Sequence, residues 1–191
     1  MPVPDPQKII AFATAEELGL WLRQNHAVER ELWVKIFKKN TGIPSVVWED
    51  VVSEVLCWGW IDGIRKSLDE QAYLQRITPR GPRSIWSKKN TEHIERLIAE
   101  GRMQEPGLMH VHAAKADGRW EKAYCVSDME VPADFLQALE SRPEAKQFFA
   151  TLPKSSRTLI AFRLAEAKKP ETRQARFEKF LTMLINGEKP L

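Results

Sequence analysis

Ile61-Asp62-Gly63-Ile64-Arg65-Lys66 and Ala72-Tyr73-Leu74-Gln75-Arg76-Ile77-Thr78 are two runs of β-type residues joined by Ser67-Leu68-Asp69-Glu70. Runs of this length around a polar, turn-forming tetrapeptide read as a β-hairpin. Alternation places Leu74, Arg76 and Thr78 on one face of the second strand and Tyr73, Gln75 and Ile77 on the other. Immediately downstream, Thr78-Pro79-Arg80-Gly81-Pro82-Arg83 contains two prolines and a glycine and therefore reads as a loop. Immediately upstream, Trp48, Val51, Val52, Val55 and Gly59 recur at helical spacing, so a helix is expected over 48–60. Its start is weakly marked, because Val47 stands where a capping Ser or Thr belongs. Gly59 offers a place where another segment can approach the backbone closely.

Outward from the hairpin, the N-terminal part reads as sheet and helix together. Ile9, Ile10 and Phe12 suggest a short strand after a proline-rich lead. Thr14-Ala15-Glu16-Glu17 is a capping box opening a helix to about Asn25, with Leu18, Trp21 and Leu22 on one face. Glu31-Leu32-Trp33-Val34-Lys35-Ile36-Phe37-Lys38 is a strand whose two faces differ little in hydrophobicity, so it is expected to be covered on both sides. Beyond residue 90 the chain turns helical. Asn90 is expected to cap a helix to Glu100 with Ile94, Leu97 and Ile98 inward, and Gly101 ends it. Pro106 opens another helix, ended by Gly118. After a looser segment over 120–131 come helices over 132–140, from about 143 to Leu152, from a cap at Ser155 or Ser156, and from Pro170 to before Gly187. The expected class is α+β: a small N-terminal sheet with flanking helices, followed by a helical C-terminal half. The expected division is an α+β unit over 1–90, carrying the hairpin and basic loop, and a helical region over 91–191.

The totals exclude several classes. A chain of 191 residues with 43% apolar and 29% charged residues has enough material for a core and an ordinary soluble surface. No apolar run approaches the roughly 18 residues that span a bilayer, and the proline-rich start lacks the order of a secretory signal, so a cytoplasmic location is expected. Cys57 and Cys125 sit among apolar neighbours and read as buried thiols rather than a disulfide. Net charge is only +3, yet from Arg76 to Lys89 there are five basic side chains and no carboxylate. The stretch over 57–90 also holds three of the seven tryptophans.

Those residues carry a resemblance as well. Leu56-Cys57-Trp58-Gly59-Trp60-Ile61-Asp62-Gly63, then Lys66, Leu68-Asp69, Tyr73, Gln75-Arg76, Thr78-Pro79-Arg80, Ser84, Trp86-Ser87-Lys88 and Asn90 are similar to the YdeI/OmpD-associated (OmdA) family, the bacteriocin-protection proteins. Leu97-Ile98-Ala99-Glu100-Gly101-Arg102-Met103, Ala114-Lys115-Ala116-Asp117-Gly118-Arg119-Trp120 and Ala167-Lys168-Lys169-Pro170-Glu171-Thr172-Arg173 with Arg176 extend the likeness over about 9–189. It implies a role in tolerance of antimicrobial peptides or bacteriocins, and it implies no catalytic residue.

From the residues themselves, the candidate site is Trp60, Asp62, Arg65, Arg76, Arg80, Arg83, Trp86 and Lys88. Arginine supplies planar donors for phosphate or carboxylate, and tryptophan supplies a flat stacking face. These types point to a compact anionic or aromatic ligand, and one pocket lined by Trp58 or Trp60, Asp62, Arg76 and Trp86 would be its signature. Against this, aromatic residues mostly fill cores. The alternative of nucleic-acid binding uses the same basic loop, although the small net charge and the glutamates at 92, 95 and 100 oppose a long phosphate backbone. The enzymatic alternative rests on Asp62 as acid or base, with Cys57 and His93 as more remote candidates. His110 and His112 read as surface histidines, no metal-ligand spacing occurs, and no cofactor is expected.

Overall fold

The computed structural model describes residues 3–125 and 129–190. It has an α+β fold that divides into two compact units, Met1–Tyr124 and Cys125–Leu191. The division falls at 124/125 rather than 90/91 because the helices after the basic loop share a core with the helix before the hairpin.

In the first unit β1 (Ile9–Ala11) is followed by α1 (Ala15–Asn25), β2 (Leu32–Phe37), α2 (Trp48–Cys57), β3 (Trp60–Ser67) and β4 (Ala72–Pro79). Then come α3 (Lys88–Ala99) and α4 (Glu105–Ala116). The sheet order is β1-β2-β4-β3, with β1 parallel to β2 and the other pairs antiparallel. α1 forms where the capping box foretold: Thr14 Oγ1 accepts from the Glu17 amide, and Glu17 Oε2 reaches back to the Ala13 amide at 2.7 Å. α2 begins on a valine that has no oxygen to offer, so only the return half of a cap exists, Val47 N–H donating to Asp50 Oδ2 at 2.9 Å. The turn between β3 and β4 is fastened by Asp69, whose Oδ1 accepts from the amides of Gln71 and Ala72 at 2.7 Å each.

Two cores result. One lies between the sheet and α1 and α2, with Leu18, Leu22, Leu32, Val34, Ile36, Val51, Val55, Trp60 and Ile77. The second joins α2, α3 and α4 through Val52, Leu56, Cys57, Trp86, Ile94, Leu97, Val111 and Ala114. Burying a side chain of this size stabilises the fold by roughly 1.5–3 kcal/mol. β2 is covered on both faces at Leu32, Trp33 and Val34, as its composition suggested. α2 and α4 approach so closely that a Cβ on Gly107 would lie 2.4 Å from Cys57 O. Gly59, at φ +72°, similarly admits Pro106 O and the His110 ring. Its suspected close approach is therefore the seat of α4.

Three local expectations change. Ser87, not Asn90, caps α3: its Oγ accepts from the Asn90 amide at 3.2 Å. Ile98 is exposed, because only Ile94 and Leu97 of that trio fall on the buried stripe. Cys125 is half-buried, whereas Cys57 is buried.

The second unit holds α5 (Ala133–Glu140), α6 (Pro143–Thr151), α7 (Lys154–Ala165) and α8 (Pro170–Ile185). They close over Phe135, Leu139, Ile160, Leu164, Phe180, Leu181 and Leu184. α7 starts after Pro153, so Ser155 and Ser156, the expected caps, both fall within the helix, where Ser156 is buried. The looser segment expected over 120–131 lies partly outside the described residues, at 126–128. No helix among the described residues is long and apolar enough to cross a membrane.

Candidate functional site

The hairpin delivers its charged residues to different places. Trp60 is core: it is buried, packs edge-on against Trp21, and gives its indole N–H to His26 O at 3.2 Å. Arg65 is exposed and lies over the Tyr73 ring at 3.8 Å. Arg76 is bound to Glu31 at 2.5 Å. Arg83 and Lys88 stand exposed. Of the residues expected to line one pocket, Trp60 and Trp86 belong to different cores and Arg76 is paired with Glu31. Arg80, Trp86 and Asp62 are the members that share a neighbourhood.

Arg80 follows the last residue of β4, where Pro79 ends the ladder, and its amide N–H donates to Gly59 O at 2.9 Å. Its side chain turns inward to 4% exposure and lies 3.3 Å from the Trp86 ring centroid. Nη2 donates to Ile85 O at 2.6 Å. Nε and Nη1 are buried and have no hydrogen-bond partner, and no carboxylate among the described residues pairs with this guanidinium. Burial, followed by the Arg119 charge, brings it down to about 10, so it remains cationic at neutral pH. Tyr124 and Asp62 favour its charge without forming an ion pair with it, and a buried cation with no paired carboxylate costs several kcal/mol and marks a place where function is to be sought.

A strap after α4 completes the neighbourhood. Tyr124 N–H donates to Trp86 O at 3.0 Å and Lys88 N–H to Tyr124 O at 2.8 Å, fixing the far end of the loop. Arg119 Nη1 donates to Ser84 O at 2.8 Å, while its Nε and Nη2 hold Asp117. Trp120 tilts against Trp86 with centroids 5.1 Å apart. His110, read as a surface histidine, is half-buried against Gly59, and burial, then Arg80 and Arg119, push its imidazole down. Arg119 and His110 were missed as site residues because nothing in their spacing ties them to the earlier loop, which for Arg119 and Ser84 lies 35 residues away.

Asp62 occupies a β-bulge. Its partner is Ile77, yet Arg65 already pairs with Gln75, and Gln75 Nε2 mends the interrupted ladder by donating to Gly63 O at 2.9 Å. Bulges re-aim side chains, and here the carboxyl accepts from Trp48 Nε1 at 3.2 Å. Burial raises its pKa above the ordinary carboxylate value, with Trp48, its own backbone and Arg80 pulling the other way. The other enzymatic candidates do not join it. Burial pushes the Cys57 thiol up to about 12, which keeps it protonated and non-nucleophilic. His93 Nδ1 faces Arg96 Nη2 at 3.3 Å instead. Among the described residues no three His, Cys, Asp or Glu side chains are grouped as a metal site requires.

A cleft of about 250 Å³ opens elsewhere, lined by Asp5, Gln7, Lys8, Trp21, Asn25, Glu29 and Glu31 among others. Three of its polar groups are engaged within the chain: Asp5 caps the turn before β1, Glu31 holds Arg76, and Asn25 donates to Trp21 O. Among the described residues, the buried side-chain nitrogens without a partner are Arg80 Nε and Nη1, Trp86 Nε1 beside them, and Trp33 Nε1 in the sheet.

Comparison with known families fits this two-part organisation. Residues 10–110 match the model of a domain of unknown function, DUF8412. That match takes in more than half of the 191 residues, and the chain belongs to this family. Residues 128–187 match the OmdA model, described as bacteriocin-protection, YdeI or OmpD-associated. The resemblance read from sequence thus holds for the C-terminal part, while the tryptophan-rich run near residue 60 lies in the first match. No curated protein and no solved structure matched the chain.

Proposed function

We propose that this chain serves tolerance of antimicrobial peptides or bacteriocins, and does so by binding a compact anionic or aromatic ligand at Arg80 and Trp86. One observation carries the binding reading: Arg80 is buried on an indole face with two nitrogens unpaired and no carboxylate partner. An anion supplies the missing charge-assisted hydrogen bonds, and the Trp86 face backs the guanidinium that makes them. The tolerance reading is supported by the bacteriocin-protection match over residues 128–187.

A ligand screen by thermal denaturation tests the binding reading, using phosphorylated metabolites, nucleotides, aromatic carboxylates, peptides and short oligonucleotides. A ligand at 100 times its Kd should stabilise the fold by about 2.7 kcal/mol, and Arg80→Met should remove that response. A response confined to oligonucleotides and lost steeply with salt would favour the nucleic-acid alternative. No response from any class would remove the binding reading.

A further inference from the structure

Arg80 and Arg119 make the same unusual choice. Each guanidinium spends a hydrogen bond on a neutral backbone carbonyl of one loop: Arg80 on Ile85 O at 2.6 Å, Arg119 on Ser84 O at 2.8 Å. These carbonyls are consecutive. The loop between Arg80 and Trp86 is otherwise held mainly at its ends, by Arg80 N–H to Gly59 O and by Tyr124 N–H to Trp86 O. Inside it one turn bond runs from Ser84 N–H to Gly81 O at 3.0 Å.

Resting on the binding reading above, we propose that the ligand carries a compact oxyanion of the phosphate class, gripped by Arg80 and Arg119 together, which displaces the carbonyls of Ser84 and Ile85 from these arginines. The donors argue for the class. Arg80 offers Nε and Nη1, which lack partners, plus Nη2 once released; Arg119 offers Nη1, while Nε and Nη2 stay on Asp117. Donors on two separate guanidiniums suit a tetrahedral group with three or four oxygens better than a two-oxygen carboxylate. The exchange is favourable because an anion adds ion–ion attraction, strengthened away from water, to hydrogen bonds that the guanidiniums otherwise make to neutral carbonyls. The freed carbonyls return to water when the loop lifts. Because Nε and Nη1 are buried, an anion reaches them only after something moves, and the segment this exchange releases is the loop over 81–85, whose carbonyls hold both arginines. It is therefore a lid released by the ligand, and Arg119 is a specificity residue.

The test uses the full chain and inorganic phosphate, followed by calorimetry and by amide hydrogen exchange over 81–86. Phosphate should bind the wild-type protein and speed exchange at Ser84 and Ile85. Arg119→Gln should weaken phosphate by about tenfold or more, and Arg119→Lys, which keeps charge without the fork, should recover only part of it. A urea midpoint close to wild type in both variants ensures that folding is not what is being read. Phosphate binding that is equal in Arg119→Gln, with exchange over 81–86 unchanged, overturns the two-arginine grip and leaves the Arg80 reading standing. Binding of aromatic acids but not phosphate overturns the oxyanion class alone. If wild type binds none of the anions, both proposals fall.

Discussion

Arg76 and Arg80 lie in the middle and just past the end of the same strand, and they have opposite fates. Arg76 sits on the sheet face at partial exposure and meets Glu31. Such a partly exposed pair contributes about 1 kcal/mol, and removing one member costs somewhat more because the other is left partly buried without its partner. Arg80 has lost its water, gained the Trp86 face and one carbonyl, and found no carboxylate. The difference teaches what separates a fastening from a site. A fastening is complete in the folded chain, and a site is left with bonding capacity that folding alone does not satisfy.

The largest effect that would break this comparison is expected at Gly59, which builds the Arg80 end and is remote from the Arg76 pair. A Cβ there meets Pro106 O and His110 Cδ2 at 2.8 Å, on a backbone at φ +72° that L residues adopt at a cost. Gly59→Ala should lose about 3 kcal/mol in urea denaturation, the left-handed conformation supplying 1–2 of it and the collision the rest. A loss under about 1 kcal/mol would mean that α4 shifts freely, and the positions of His110 and Arg80 would then be less defined than described.

Next in size is the pair of methionine substitutions. Arg76→Met leaves the partly buried Glu31 carboxylate without its cation and should cost about 1–2 kcal/mol. Arg80→Met replaces an unpaired buried cation with an apolar chain of similar length. It should cost less than about 1 kcal/mol, or stabilise, as removal of buried charges often does. Equal losses in the two variants would make Arg80 a second fastening and erase the contrast.

The contrast was only half legible in the sequence. The hairpin, its turn, the capping box at Thr14 and the covered strand at Leu32–Phe37 were readable, because periodicity and turn chemistry are local properties. Arg80 and Trp86 could be nominated by type and proximity in the chain. That Trp60 is core while Trp86 carries the guanidinium was not readable, since both lie in similar apolar and basic surroundings in sequence. Arg119 and His110 reach the loop only because α4 seats on Gly59 and the strap returns to Trp86, which are tertiary contacts. The α3 cap moved by one turn: Ser87 and Asn90 are both good caps three residues apart, and it is Ser87 that the distant strap at Tyr124 bridges.

The smallest expected effect decides what Asp62 is to Arg80. Arg76 has Glu31 as its counter-ion, and the corresponding carboxylate for Arg80 is Asp62, which is held by Trp48 instead. Two accounts give opposite signs for Asp62→Asn. If Asp62 chiefly neutralises Arg80 across the bulge, removing its charge destabilises the fold at neutral pH. If burial dominates, as the raised pKa indicates, the ionised carboxylate is a burden and the amide relieves it while still accepting from Trp48 through its oxygen. The sign follows from linkage. With the folded value above the unfolded one, the native state binds more protons, so this group's contribution is complete below the ordinary carboxylate value of about 4 and is lost as pH rises through the raised folded value. Asp62→Asn should therefore gain stability relative to wild type at pH 7, and that advantage should shrink as the pH falls below the carboxylate range. A urea midpoint that drops at pH 7 would make Asp62 the internal counter-ion of Arg80. The arginine would then be a satisfied cation like Arg76, and the anion site would lose its physical basis.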